Sequence, residues 1–170
     1  MLVTGGARSG KSAYALTRAG LLPAPRVFIA TATAGDSEMA SRIAAHRRER
    51  GAGFATIEEP LAPAAALAGL DCATGVAVLD CVTLWITNLL ARADDPAIAV
   101  AITTLAGTIA RCEFPVIVVT NEVGWGIVPF DAETRRFRDL LGLANQRLAS
   151  AVDEVVLMVA GIPVAVKGPR

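Results

Sequence analysis

Short apolar runs punctuate the chain: MLVTGG, RVFIAT, FATIEE, GVAVLD, FPVIVVT, EVVLMVAG and IPVAVK. Runs of that length, closed by Gly, Pro or an acid, suit strands buried in a sheet. Longer mixed segments between them read as helices. SGKSAYALTRAGLL is stopped by Pro23 and Pro25. SEMASRIAAHRRER can be capped by Asp36 or Ser37 and ends at Gly51. LAPAAALAGL and CVTLWITNLLARA follow. AIAVAITTLAGTIARC has Pro96 well placed at its start, and DAETRRFRDLLGLANQRLASAV is the last helix.

Apolar strands alternating with helices indicate a mostly parallel sheet covered on both faces. The last two strands are separated only by a short turn containing Gly161 and Pro163, so they are expected to form an antiparallel edge hairpin. No linker or repeat divides the chain. The expectation is one domain over residues 1–170.

Composition narrows the class. The chain has 170 residues, enough for one core, and 54% of them are hydrophobic. Mean hydropathy is +0.51, which raises the question of a membrane span. The greasiest windows, VAVLDCVTLWITNLLA and AIAVAITTLAGTIA, are interrupted by Asp80 and Asn88 or fall short of about 20 residues. They read as core elements. Sixteen basic residues balance sixteen acidic ones, so no broad nucleic-acid surface is expected. The N-terminus runs straight into a motif, so no signal or transit peptide is expected. Cys72, Cys81 and Cys112 lack metal-ligand spacing and are odd in number, so they read as small buried hydrophobes in a reducing compartment. A cytoplasmic enzyme is expected.

The first chemistry is GGARSGKS. It holds Gly5, four residues, then Gly10-Lys11-Ser12, after a strand and before a helix, which is the context a phosphate loop requires. Glycines let backbone N–H groups converge on phosphate oxygens, and the helix N-terminus adds its dipole. Lys11 can reach the β and γ phosphates, and the Ser12 hydroxyl can ligate magnesium. A second magnesium anchor is expected at the end of a buried strand. Asp80, closing VAVLD, is either that anchor or the cap of the next helix. The fold class that follows is α/β: a three-layer P-loop NTPase (RecA-like) fold, with a mostly parallel sheet and a C-terminal antiparallel edge hairpin.

SRIAAHRRER holds the single histidine, His46, followed by Arg47, Arg48 and Arg50. On a helix Arg42, His46 and Arg50 share one face. The cluster is either a solvated charged face or a nucleophile beside a phosphate clamp. Guanidinium neighbours favour neutral imidazole, the form that attacks phosphorus, and can offset charge during in-line displacement.

Several segments in fixed order carry a resemblance: VTGGARSGKS, ATA, EMASRIAAHRRER with TIEEP, LDCVTLWITNLL, VTNEVGWGIVP, FRDLLGLANQRLA, AVDEV and GIPV. Together they resemble the bifunctional adenosylcobinamide kinase / adenosylcobinamide-phosphate guanylyltransferase family of cobalamin synthesis. The resemblance implies phosphorylation of adenosylcobinamide from ATP or GTP. It further implies GMP transfer from GTP to adenosylcobinamide phosphate through a guanylyl-histidine, with pyrophosphate released. His46 and Lys11 are the implied catalytic residues. Implied nucleotide contacts are Gly5, Gly6, Ala7, Arg8, Ser9, Gly10, Lys11, Ser12, Ala30, Thr31, Ala32, Arg47, Arg48, Glu49, Arg50, Glu58 and Asp80, with Ser12 and Asp80 on magnesium. Glu58 recognises the guanine edge or the ribose, or caps a turn. NEVGWGIVP either contacts the flat corrinoid or is a structural loop around a buried Trp125. The family also implies a homo-oligomer, a trimer. The chain departs from the family pattern after the arginines, where Arg50 is followed by Gly51 instead of proline and the aromatic is Phe54 instead of tryptophan, implying a more flexible loop. The rival readings are a P-loop kinase of another small metabolite and a non-catalytic nucleotide switch.

Overall fold

The computed structural model describes residues 1–168, the side chains of Glu38, Arg42 and Glu49 excepted. The elements run in the anticipated order: β1 (Leu2–Gly5), α1 (Lys11–Gly20), β2 (Arg26–Ala30), α2 (Ser37–Arg50), β3 (Ala55–Glu58), α3 (Pro63–Ala68), β4 (Val76–Asp80), α4 (Val82–Leu90), α5 (Asp95–Arg111), β5 (Val116–Val119), α6 (Ala132–Ala151), β6 (Val155–Val159) and β7 (Ile162–Lys167). The strands form one seven-stranded sheet in the order β3-β2-β4-β5-β1-β6-β7. Every pairing is parallel except β6 with β7, the edge hairpin expected from the short turn.

The strands need apolar residues at consecutive positions because both sheet faces are covered. Side chains alternate between faces. Leu2, Ile29, Ala77, Leu79 and Val118 point into a core with Trp85, Ile98, Ile102 and Leu141 from α4, α5 and α6. Val3, Phe28, Val78, Val119 and Met158 point the other way, against Ala15 and Ala19 of α1. The two apolar windows weighed as possible spans are thus β4 with α4, and α5. Among the described residues no helix is long and apolar enough to cross a membrane.

Helix starts follow local rules. The carboxylates of Asp36, Asp94 and Asp131 accept from the backbone N–H groups of Met39, Ala97 and Thr134 at 2.7, 3.0 and 2.7 Å, so Asp36 rather than Ser37 caps α2. The cysteine reading requires correction at one position: Cys72 is exposed, whereas Cys81 and Cys112 are partly buried and pack against the core. Cys72 sits in the turn before β4, where no core reaches it.

Candidate active site

The sheet register assembles the site. Glu58 of β3 pairs with Ala30 of β2, Ala30 with Asp80 of β4, and Asp80 with Val119 of β5. Four strands therefore deliver one row of residues at their carboxyl ends, where open α/β sheets bind ligands. β1, beside β5, ends at Gly5 and turns into the phosphate loop. A cavity of about 750 Å³ opens over this row.

The loop is shaped by backbone conformation. Gly5, Arg8 and Gly10 have φ of 146°, 55° and 93°. A Cβ on Gly5 would lie 2.5 Å from the Met158 carbonyl oxygen of β6, so only glycine fits there. The turn between β6 and β7 braces the loop from outside: Gly161 donates its N–H to the Ser9 carbonyl at 3.1 Å. Lys11 starts α1 and is 8% exposed. Its ammonium donates to the Gly6 carbonyl at 2.6 Å and reaches Ser9 Oγ at 3.4 Å. Burial lowers its pKa, against the raising influence of Cys81 and Asp80.

Asp80 lies on the floor. Loss of hydration raises its carboxyl pKa, opposed by a hydrogen bond with Ser12 and by the charges of His46, Arg50 and Lys11. Oxygen ligands from Ser12 and Asp80, side by side under a phosphate loop, fit magnesium. That ion takes few protein ligands and completes its shell from phosphate and water. No group of three or more His, Cys, Asp or Glu among the described residues could hold a metal. Beside Asp80, burial pushes the Cys81 thiol up to about 12, so it stays protonated at neutral pH.

α2 forms the lid side of the cavity. None of its described side chains is buried, and it is held by specific contacts at its C-terminal end. The Arg50 guanidinium lies 3.9 Å over the Phe28 ring, whose edge meets Phe54 at 6.4 Å. Arg47 forms an ion pair with Glu58. Burial lowers the Arg50 pKa, against the raising influence of Asp80. Gly51, at φ 63°, ends the helix, and its N–H donates to the Arg48 carbonyl. These contacts hold His46 on the cavity wall.

Of the residues singled out from sequence, Ala7, Arg8, Ser9, Gly10, Lys11, Ser12, Ala30, Ala32, His46, Arg47, Arg50, Glu58 and Asp80 line the cavity. Gly5, Gly6, Thr31 and Arg48 do not. Gly5 turns the chain into the loop, and Gly6 offers the carbonyl that accepts from Lys11. Thr31 is fully buried, donating its hydroxyl to the Cys81 carbonyl at 2.7 Å and accepting from the Cys81 N–H at 2.9 Å. Arg48 is exposed, and the Glu49 side chain lies outside the described residues.

Sequence reasoning did not select Phe28, Thr83 or Asn121, which also line the cavity. Thr83 Oγ1 accepts from the Asn121 N–H at 3.2 Å and from its amide at 2.9 Å. Asn145 of α6 donates to the Asn121 carbonyl at 3.0 Å and to Glu122 at 3.1 Å. Glu122 also accepts from Thr4 at 2.9 Å. A signal existed: Asn121 follows the buried run VIVV closely, much as Asp80 follows VAVL.

A parallel sheet carrying a phosphate loop, a strand-end aspartate and a cavity at the carboxyl edge defines a nucleotide-binding P-loop fold. A solved structure from Pyrococcus horikoshii OT3 is similar in overall fold, with a TM-score of 0.56 and 10% identity, covering 99% of this chain and 86% of that one. The chain belongs to the cobinamide kinase / cobinamide phosphate guanyltransferase family, which matches residues 1–166. It is 41% identical to the bifunctional adenosylcobalamin biosynthesis protein CobP of Pseudomonas aeruginosa, over 98% of this chain and 96% of that protein. It is 44% identical to the bifunctional adenosylcobalamin biosynthesis protein CobU of Salmonella typhimurium, over 98% and 99% respectively.

Proposed function

We propose that this chain is one nucleotide-binding domain that carries out two reactions in cobalamin biosynthesis. In the first, the aminopropanol hydroxyl of adenosylcobinamide attacks the γ-phosphorus of ATP or GTP, and the bond to the β-phosphate oxygen breaks. In the second, a neutral nitrogen of His46 attacks the α-phosphorus of GTP and pyrophosphate leaves. The phosphate of adenosylcobinamide phosphate then displaces His46, giving adenosylcobinamide-GDP.

The observation that carries this reading is the shared cavity, which the phosphate loop, His46 and Asp80 all line. Lys11 and the loop N–H groups hold the β and γ phosphates, the part that leaves as pyrophosphate. Arg47 and Arg50 offset charge at the α-phosphate. Glu58, at the far end of the same row, is left for the nucleoside. Among the described residues the one thiol on the cavity wall, Cys81, is held protonated and is a poor competitor for phosphorus. A covalent step divides one displacement between two large substrates into two. Ser12 and Asp80 would hold magnesium, which when bound neutralises phosphate charge.

The free thiols, with Cys72 exposed, support a reducing compartment such as the cytoplasm. The proposal includes a homo-oligomer, a trimer; the edge strand β7, with Ile162, Val164 and Val166 exposed, supports association of copies but does not set their number.

The deciding experiment uses GTP labelled at the α-phosphate with magnesium, followed by denaturation. Label that stays on the protein, is lost in acid, survives base and is absent from His46→Ala is the expected result. Intact GTP binding with no label would leave a P-loop kinase or switch.

A further inference from the structure

The segment between β5 and α6 has an unusual surface. Trp125 is 76% exposed and Ile127 98%, with Val128 and Phe130 also open to solvent. A buried tryptophan would have made this a structural loop; the exposed one does not. Large contiguous apolar exposure marks a binding surface.

The segment is tied down at both ends. At its start, Asn121 and Glu122 are gripped by Thr83, Asn145 and Thr4, and the Glu122 N–H donates to the Gly5 carbonyl at 3.1 Å. At its end, Arg135 donates to the carbonyls of Pro129 and Phe130, just before Asp131 caps α6. Both ends are anchored while the large apolar side chains are exposed. Such an arrangement presents a surface without the ordering cost of a loose loop.

Its position identifies the occupant. The segment leaves the nucleotide cavity at Asn121, a wall residue, and Trp125 is four residues on, within about 14 Å by chain length alone. The cavity, at about 750 Å³, is of a size for one ligand of nucleotide dimensions. The proposed reactions bring a second substrate, a broad corrin ring with a short aminopropanol arm. Only the arm has room to enter beside the nucleotide.

We propose that Trp125, Ile127, Val128 and Phe130 form the platform on which the corrin ring of cobinamide rests, delivering the aminopropanol arm past Asn121 to the phosphates. The inference rests on the function proposed above. Aromatic and branched apolar side chains cover the macrocycle face, and its peripheral amides remain in water.

The test compares wild type with Trp125→Ala and Ile127→Ser in three measurements. These are kinase kinetics with cobinamide or ATP varied, GTP-dependent labelling of the protein without corrinoid, and sedimentation. The platform predicts that KM for cobinamide rises at least about tenfold in each variant. Labelling, KM for ATP and the sedimentation coefficient should match wild type, and retained labelling certifies that each variant folds. An unchanged KM for cobinamide overturns the proposal. If sedimentation shifts at the same time, the surface instead covers a second copy of the chain. Wild-type protein that labels from GTP but phosphorylates no cobinamide would overturn the substrate assignment itself.

Discussion

Gly5 and Met158 sit so close that the phosphate loop has no room for a side chain at its first turn: a Cβ on Gly5 would stand 2.5 Å from the Met158 carbonyl oxygen and 2.9 Å from Ser9 Oγ. Gly5 also holds φ at 146°. Gly5→Ala is therefore expected to lose about 2–4 kcal/mol of stability, because the obstructing atom is backbone and cannot turn aside. Gly6→Ala is the contrast. Nothing lies within 4 Å of its added Cβ, so its stability should stay within about 0.5 kcal/mol of wild type. Denaturant midpoints of the two variants check this.

Lys11→Ala should reduce both kinase and guanylyl transfer by at least about a hundredfold, since both need the same phosphates held. Thermal stability should change little, because the lost ammonium was already poorly solvated. Steady-state rates for the two reactions decide it. GMP transfer that survives the substitution would sink the single shared site.

Glu58→Gln separates positioning from stability. The Arg47–Glu58 pair is about half exposed, with side-chain accessibilities of 55% and 57%, and contributes less than about 1 kcal/mol to folding. It nevertheless ties the His46 helix to the sheet edge. Guanylylation of the protein should slow by about tenfold while the melting temperature barely moves, because a small misplacement of a nucleophile is costly. Single-turnover labelling beside a melting curve tests the split.

Asp80→Asn should stabilise the protein at neutral pH while removing activity. The folded carboxyl pKa is raised, chiefly by burial, so the folded state prefers the neutral acid. Wild-type stability from this group is fully present below the ordinary carboxylate pKa of about 3.9 and is lost as pH rises through the higher folded value. Asn has no charge to desolvate. Its advantage should therefore be largest at neutral pH and vanish in acid, which melting curves across pH will show. A constant difference at every pH would contradict the burial argument.

Much of the fold was legible because both faces of the sheet are covered, which writes β1, β2, β4 and β5 as nearly unbroken apolar runs. Asp36, Asp94 and Asp131 announce helix starts by accepting N–H bonds three residues on, a local event that needs no tertiary contact. The edge strand β3 is harder to read: Ala55, Thr56 and Glu58 are exposed, so its pattern resembles a loop. Cys72 misled because thiols usually sit inside, and its turn has no core above it.

The sequence by itself determined the phosphate loop, the strand-end aspartate, the lone histidine with its arginines, and the alternation that makes an α/β sheet. These are local features, set by spacing along the chain. Tertiary structure alone decided that β5 lies between β4 and β1, that register lines up Glu58, Ala30, Asp80 and Val119, and that Asn121 joins the wall. It also decided that Arg50 on Phe28 and Arg47 on Glu58 hold His46 at the cavity. Strand order and register depend on which distant surfaces complement each other, and that is settled only when residues far apart in the chain are packed together.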